Sequence, residues 1–368
     1  MRGLNDSGYN FVRDAWYIGA WTQEVTRSPM RRVIMNEPIV FYRREDGAAV
    51  ALEDRCPHRN YPLSRGELIG DRIQCGYHGL TFGADGSCVY APGQDRPPAV
   101  ARLMSYPIVE RGGVVWIFMG DPSLAAEEHV PDLGWMDNPA WATWTGGYIP
   151  LRCNHQLLTE NLLDISHLAY VHKTSMGSDP DRIAASEVSV QPIATGVRRR
   201  VRIADIPTPA VFARSALVGD RIDQWTESWM IPGCYQNHTR VRPASATGWA
   251  DDEEAPLQNR AFHGIVPETE TTTHYFHGGA RLIIDVETLT GERSRKILEE
   301  DVGVLEAIQQ NQALVGDRSV VNLRNDIAVM QWRAFIKGRR VPRDVAYALL
   351  RDRDPTEFTP SGPGDLAC

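Results

Sequence analysis

Cys56-Pro57-His58-Arg59 and Cys75-Gly76-Tyr77-His78, with sixteen residues between His58 and Cys75, form the stretch on which the fold turns. Two thiolates and two imidazoles suit an iron–sulfur cluster or zinc. Each half supplies one Cys and one His, the mixture taken by a [2Fe–2S] cluster in which two Cys hold one iron and two His the other. A zinc knuckle is the alternative. Zinc fingers, however, space their ligands C-x₂₋₄-C and H-x₃₋₅-H, and the C-x-H and C-x₂-H halves depart from that. Pro57 and Gly76 directly follow the cysteines and place each pair in its own tight loop.

Around these loops, residues 10–122 read as short strands broken by turns. Val33-Ile34-Met35, Ile39–Tyr42, Ala49–Leu52 and Val114–Phe118 are β-type runs, and Asp46-Gly47, Asp85-Gly86 and Arg111-Gly112-Gly113 supply turn chemistry. An all-β module with two cluster loops at one tip follows. Residues 120–132 read as a linker. Beyond it the pattern predicts a helix over 155–172, mixed strands over 187–284, a long helix over 291–316 and a helical piece over Arg343–Arg351. The chain is thus α+β: an all-β module over 10–122, a helix-plus-antiparallel-sheet (helix-grip-like) domain over 123–351, and a mobile tail over 352–368. Residues 174–180 and 245–256 read as mobile loops.

The chain has 368 residues, enough for two or three domains with a full core. A formal charge of −8 argues against nucleic acid as a partner. The one basic run, Val197 to Arg202, reads as a solvated strand or turn. No stretch approaches the ~20 apolar residues of a membrane span, and the N-terminus lacks a signal-peptide core. A cytoplasmic location is expected, with Cys153 and Cys234 reduced and buried.

A second constellation runs Asn161-Leu162-Leu163-Asp164-Ile165-Ser166-His167-Leu168-Ala169-Tyr170-Val171-His172. Iron(II) sites that activate O₂ use two His and one carboxylate. On an ideal helix, five residues turn through about 500°, leaving His167 and His172 roughly 140° apart. Both reach one metal only if the backbone between them is irregular. Without its context the pair would read as one buried and one exposed His. The carboxylate comes from elsewhere. In 296–308, Ile297, Leu298, Val302, Leu305 and Ile308 form one stripe. Asp301 falls inside it and Glu300 points to the opposite side. A lone acid on a buried face is costly unless paired or bound to metal, with a buried salt bridge as the alternative. Asp164, three residues before His167, is placed to accept a hydrogen bond from the imidazole N–H that faces away from the metal.

The cluster segment, through Gly79-Leu80-Thr81-Phe82, resembles the Rieske domain of ring-hydroxylating and demethylating oxygenases. The N-x₂-D-x₂-H-x₄-H run and Glu300-Asp301-x₃-Leu305-Glu306-x₂-Gln309 resemble that family's mononuclear-iron segments. Arg13–Trp21, Cys153-Asn154-His155 and Pro267–Glu270 with His274-Tyr275-Phe276 are similar to the branch of vanillate O-demethylase and dicamba-type monooxygenases. The resemblance implies a Rieske [2Fe–2S] cluster on Cys56, His58, Cys75 and His78. It implies Fe(II) on His167, His172 and Asp301, with Asn161 near the iron. The loops lack the extra cysteine pair of respiratory Rieske proteins, so a potential toward roughly −150 mV is expected. The family's use of Asp164 to reach a Rieske histidine of the neighbouring subunit, here His78, implies a head-to-tail ring, most simply a homotrimer. No nucleotide- or flavin-binding motif is present. An NAD(P)H-dependent flavin/iron–sulfur reductase is therefore the implied partner, and O₂ and an aromatic small molecule the substrates. O-demethylation of a methoxy-aromatic acid is the expected reaction. Ring cis-dihydroxylation, methyl hydroxylation and N-demethylation are its rivals, and a Rieske electron carrier is the non-enzyme alternative. Asn237, His263, His277 and Arg281 are the candidate substrate contacts. Trp225, Trp229 and Phe262 read equally well as core.

Overall fold

The computed structural model describes residues 11–176, 179–184, 186–209, 212, 215, 217–245, 255–282, 291–316 and 321–337. The first part is built of strands β1 (Ala15–Trp21), β2 (Met30–Ile34), β3 (Glu37–Arg43), β4 (Ala49–Glu53), β5 (Glu67–Ile69), β6 (Arg72–Gln74), β7 (Thr81–Phe82), β8 (Cys88–Tyr90), β9 (Ile108–Arg111) and β10 (Val114–Met119). They form three small antiparallel sheets, β1-β10-β9, β2-β3-β4 and β5-β6-β7-β8. The linker carries only 3₁₀ turns.

The second part adds β11 (Trp141–Leu151), α1 (His155–Leu163), α2 (Pro180–Ala184), β12 (Glu187–Ile193), β13 (Gly196–Pro207), β14 (Arg221–Ile231), β15 (Cys234–Pro243), β16 (Leu257–Pro267), β17 (Thr273–Leu282), α3 (Gly291–Val315) and α4 (Ile327–Ile336). Its strands make one antiparallel sheet in the order β11-β17-β16-β15-β14-β13-β12. Because side chains alternate across a strand, each strand serves two faces. One face packs on the helices through Leu158, Leu163, Met230, Ile265, Leu305 and Trp332. The other carries Cys234, Phe262, Val266 and Phe276 into a core shared with Trp21, Trp116 and Ile18 of the first part.

That shared core explains β1. All seven of its residues are buried, as in a strand covered on both faces. Gly264 permits the close approach, since a Cβ there would lie 2.2 Å from Ile18 Cδ1. The β2–β3 hairpin locks the two parts together. Met35 and Asn36 both take positive φ, the twist a two-residue hairpin favours. Their backbone N–H groups donate to the Pro267 and Glu268 carbonyls at 2.8 and 2.9 Å.

Three readings need correction. The helix predicted over 155–172 ends at Leu163, where Asp164 adopts an extended conformation. The basic run is a strand but not a solvated one: Arg199 and Arg200 are buried. Glu227 accepts from both Arg198 and Arg200 across the sheet, and this pairing lets the charges lie inside. Glu300 does not turn away from its neighbour, as shown below. Helix α4 was not anticipated. The piece over Arg343–Arg351, the tail over 352–368 and most of the 245–256 loop lie outside the described residues.

Candidate metal centres and cavity

The two cluster loops repeat one backbone pattern. Cys56 N donates to Tyr61 O (2.9 Å) and Asn60 N to Cys56 O (2.9 Å); Cys75 N donates to Leu80 O (2.8 Å) and Gly79 N to Cys75 O (3.0 Å). The turn residue, Asn60 in one loop and Gly79 in the other, is left-handed in both. Each loop thereby points one Cys inward and one His outward. Cys56 and Cys75 are buried and not disulfide-bonded. His58 and His78 are exposed, with ring centroids 4.5 Å apart. Burial pushes the Cys56 thiol up to about 11, and the Cys75 thiol beside it adds to the rise. Two adjacent thiolates in so dry a place require a cation, and the set fits a [2Fe–2S] cluster.

Asn154 starts α1 by accepting from Gln156 N at 2.8 Å. After the helix stops, Asp164 accepts from Ser166 N (2.7 Å) and Oγ (2.9 Å), which opens a 3₁₀ turn over Ser166–Ala169. His167 lies on that turn, and His172 follows in further turns. The backbone between the histidines is therefore irregular. Their ring centroids come to 5.3 Å. Asp301 Oδ1 reaches in from α3, 3.6 Å from His167 Nε2 and 3.2 Å from His172 Nε2. One donor atom from each of the three lies within 4.8 Å of the others. Asn161 Nδ2 donates to the same Asp301 oxygen at 3.2 Å.

The electrostatics suit a cation. Burial lowers the His167 pKa, opposed by the Asp301 and Asp164 carboxylates. Burial would lower His172 too, but its hydrogen bonds to Asp301 and Glu300 prevail and raise it. Asn161 Oδ1 is buried without a partner, and the His167 ring meets no side chain on its Nδ1 edge, only the Asp164 backbone. Asp164 does not meet His167 Nδ1 with its carboxylate. Its extended backbone breaks the three-residue helical spacing and turns the side chain to Ser166.

These residues open onto a cavity of about 580 Å³. Cross-strand register assembles its sheet wall: Tyr235 pairs with His263 and His263 with His277. Asn237 and Arg281 lie in the rows beyond. All four candidate substrate contacts line the cavity. His263 Nδ1 meets Tyr275 Oη at 2.6 Å, Arg281 Nε donates to Asn259 at 2.8 Å, and His277 Nε2 is buried without a partner. Leu162, Ile165 and Leu298 supply apolar wall. Trp225 and Phe262 are buried, and neither lines the cavity.

The sequence did not single out Arg199, Glu300 or Ser175. Arg199, on the cavity wall, donates to the Leu163 carbonyl and to Tyr235 Oη. Glu300 accepts from His172 Nδ1 at 2.7 Å and from Ser175 Oγ at 2.6 Å. An acid adjacent to a candidate ligand acid was the available signal for Glu300; Arg199 lay in the basic run, and nothing local marked Ser175.

An all-β module with paired Cys–His loops, joined to a helix-and-sheet domain that gathers two His and one Asp, defines a Rieske-type oxygenase. Residues 15–107 match the Rieske [2Fe-2S] domain and residues 151–340 the vanillate O-demethylase oxygenase C-terminal domain. Over 316 residues the chain is 36% identical to the oxygenase component of dicamba O-demethylase from Stenotrophomonas maltophilia, covering 83% of this chain and 90% of that one. It is 35% identical over 332 residues to the iron–sulfur subunit of a toluene-4-sulfonate monooxygenase system from Comamonas testosteroni, covering 88% and 95%. The crystal structure of dicamba monooxygenase bound to dicamba superposes with a TM-score of 0.77 at 32% identity, covering 89% and 97%. The chain belongs to the Rieske non-haem iron oxygenases, in the branch of vanillate O-demethylase and dicamba monooxygenase. It is a monooxygenase whose cofactors are a [2Fe–2S] cluster and a mononuclear iron. No helix among the described residues is long and apolar enough to cross a membrane.

Proposed function

We propose that this chain is the terminal oxygenase of a multi-component system and O-demethylates a methoxy-aromatic acid to a phenol and formaldehyde. The observation that carries the reading is the cavity of about 580 Å³ joining the His167, His172 and Asp301 donor set to Asn237, His263 and His277. That volume suits one substituted ring. In this reading Cys56, His58, Cys75 and His78 hold the cluster, and His167, His172 and Asp301 hold Fe(II). When bound, these groups supply the electron transfer and O₂ activation that side chains lack.

The chain's own residues bind and orient. Leu162, Ile165 and Leu298 receive the ring and exclude water. Asn237, His263, His277 and Arg281 hold the acidic group and so direct the methoxy carbon at the donor set. One methyl C–H becomes C–OH with one oxygen atom of O₂; the other leaves as water with two protons and two electrons. The hemiacetal then breaks its C–O bond to the methyl carbon. A cytoplasmic NAD(P)H-dependent flavin/iron–sulfur reductase provides the electrons. His78 stands exposed at the cluster tip, which supports a head-to-tail homotrimer in which Asp164 meets the partner subunit's His78. Likeness to a toluene-sulfonate system favours a second reading, hydroxylation of an aryl methyl group.

Turnover of methoxybenzoates and toluene sulfonates with a surrogate reductase separates the readings. Formaldehyde equal to O₂ consumed supports demethylation; a benzylic alcohol without formaldehyde selects the second. His167→Ala should abolish product while sparing the cluster's visible absorption, and surviving turnover would overturn the proposal. Asp164→Asn should load both metals yet lose reductase-driven turnover by orders of magnitude.

A further inference from the structure

Consecutive residues of α3 serve the same imidazole from two sides. Asp301 Oδ1 lies 3.2 Å from His172 Nε2, and Glu300 Oε2 lies 2.7 Å from His172 Nδ1. Ser175 Oγ donates to that same Glu300 oxygen at 2.6 Å. The oxygen that accepts from Ser175 is an acceptor toward the ring as well, so Nδ1 donates and carries the proton. The single ring atom left to bind a cation is then Nε2, which faces Asp301 and His167. We propose that Glu300, steadied by Ser175, is the positioning residue that fixes the tautomer and ring plane of His172 for metal binding. The inference rests on the reading of His167, His172 and Asp301 as metal ligands.

Two further observations point the same way. The His172 side chain is only 2% exposed, against 26% for Glu300, so the carboxylate stands where water would otherwise have to reach the ring. His167 has no carboxylate of this kind on its ring, because the Asp164 side chain is engaged by Ser166 and only the Asp164 backbone faces the imidazole. The site is therefore asymmetric. A carboxylate holds one imidazole and a backbone group faces the other. Partners of this kind are worth 10–100-fold in metal affinity.

Co(II) binding to the full-length protein tests this. The cluster is kept oxidised and spin-silent, the mononuclear site is stripped, and affinity is read by equilibrium dialysis and by the high-spin Co(II) resonance. Glu300→Ala should weaken Co(II) binding about 10–100-fold and change the resonance. Glu300→Gln, which keeps an acceptor without the charge, should fall between that variant and the parent. Ser175→Ala should lose less than either. Unchanged visible absorption of the cluster reports that each variant is folded. If Glu300→Ala does not fold, Glu300→Gln and Ser175→Ala carry the test. Variants that bind Co(II) within twofold of the parent, with an unchanged resonance, would overturn the inference. His172→Ala separates the two levels: if it too binds like the parent, the metal-site reading itself is wrong.

Discussion

At the scale of single residues, the cluster loops depend on a contact that no ligand motif displays. Gly66 lies against the backbone of β6, just before Cys75, and a Cβ there would sit 1.9 Å from the Gln74 carbonyl oxygen. A backbone atom in a strand cannot give way as a flexible side chain would. Gly66→Ala should therefore cost about 1–3 kcal/mol, seen as a lower melting temperature and a reduced ratio of cluster to protein absorbance. Parent-like values for both would show that the loop tolerates a methyl group. The four candidate cluster residues were legible because each pair is local and its loop is set by adjacent residues. Asp301 was legible as an acid in an apolar stripe. Glu300 was misread because neighbouring helical positions differ by only about 100°, and a long side chain can cover that difference.

At the scale of elements, the decisive event is the end of α1. Helical phase alone cannot bring His167 and His172 together, and the need for irregular backbone could be stated from their spacing. Where the helix would stop could not, because the stop is imposed from another strand. Arg199 of β13 reaches across to the Leu163 carbonyl, an acceptor at the helix C-terminus with no intrahelical partner, and to Tyr235 Oη. The helix terminus also offsets part of the charge on this buried guanidinium. Arg199→Ala should destabilise the catalytic domain by about 2 kcal/mol, within the range for hydrogen bonds from a charged group. Arg199→Lys should recover only part, since an ammonium cannot span both acceptors. Thermal unfolding followed by tryptophan fluorescence checks this, with metal uptake as a second readout. Wild-type melting of Arg199→Ala would mean that Asp164 and Ser166 terminate the helix unaided.

At the scale of the whole molecule, the large sheet is covered on both faces, by helices on one and by β1 and β10 with the arginine-rich flank on the other. Histidines are caught in that burial. Burial alone takes His155 down to about 3. His238, on the outer face beside Arg240 and Arg260, is also lowered to about 3, chiefly by burial and then by those charges. In the unfolded chain both titrate near the ordinary value of 6.5. Between that value and about 3, the unfolded state binds more protons than the folded one. Stability therefore rises with pH through this window and is lost on acidification below about pH 6.5. Each histidine contributes a slope of about 1.4 kcal/mol per pH unit within it. Carboxylates held low, such as Glu306 beside Arg152, add to the loss only nearer the ordinary value of 4.5, so the histidines lead between pH 6.5 and 5. Melting temperatures at pH 7.5, 6.5, 5.5 and 5.0 should be level across the first step and then fall. His263 and His277 are lowered as well, to about 3 and about 4, so His238→Gln, which retains the Gln258 contact in part, should flatten the fall by about a quarter. A melting temperature constant from pH 7.5 to 5.0 would show that these imidazoles are hydrated in the folded protein.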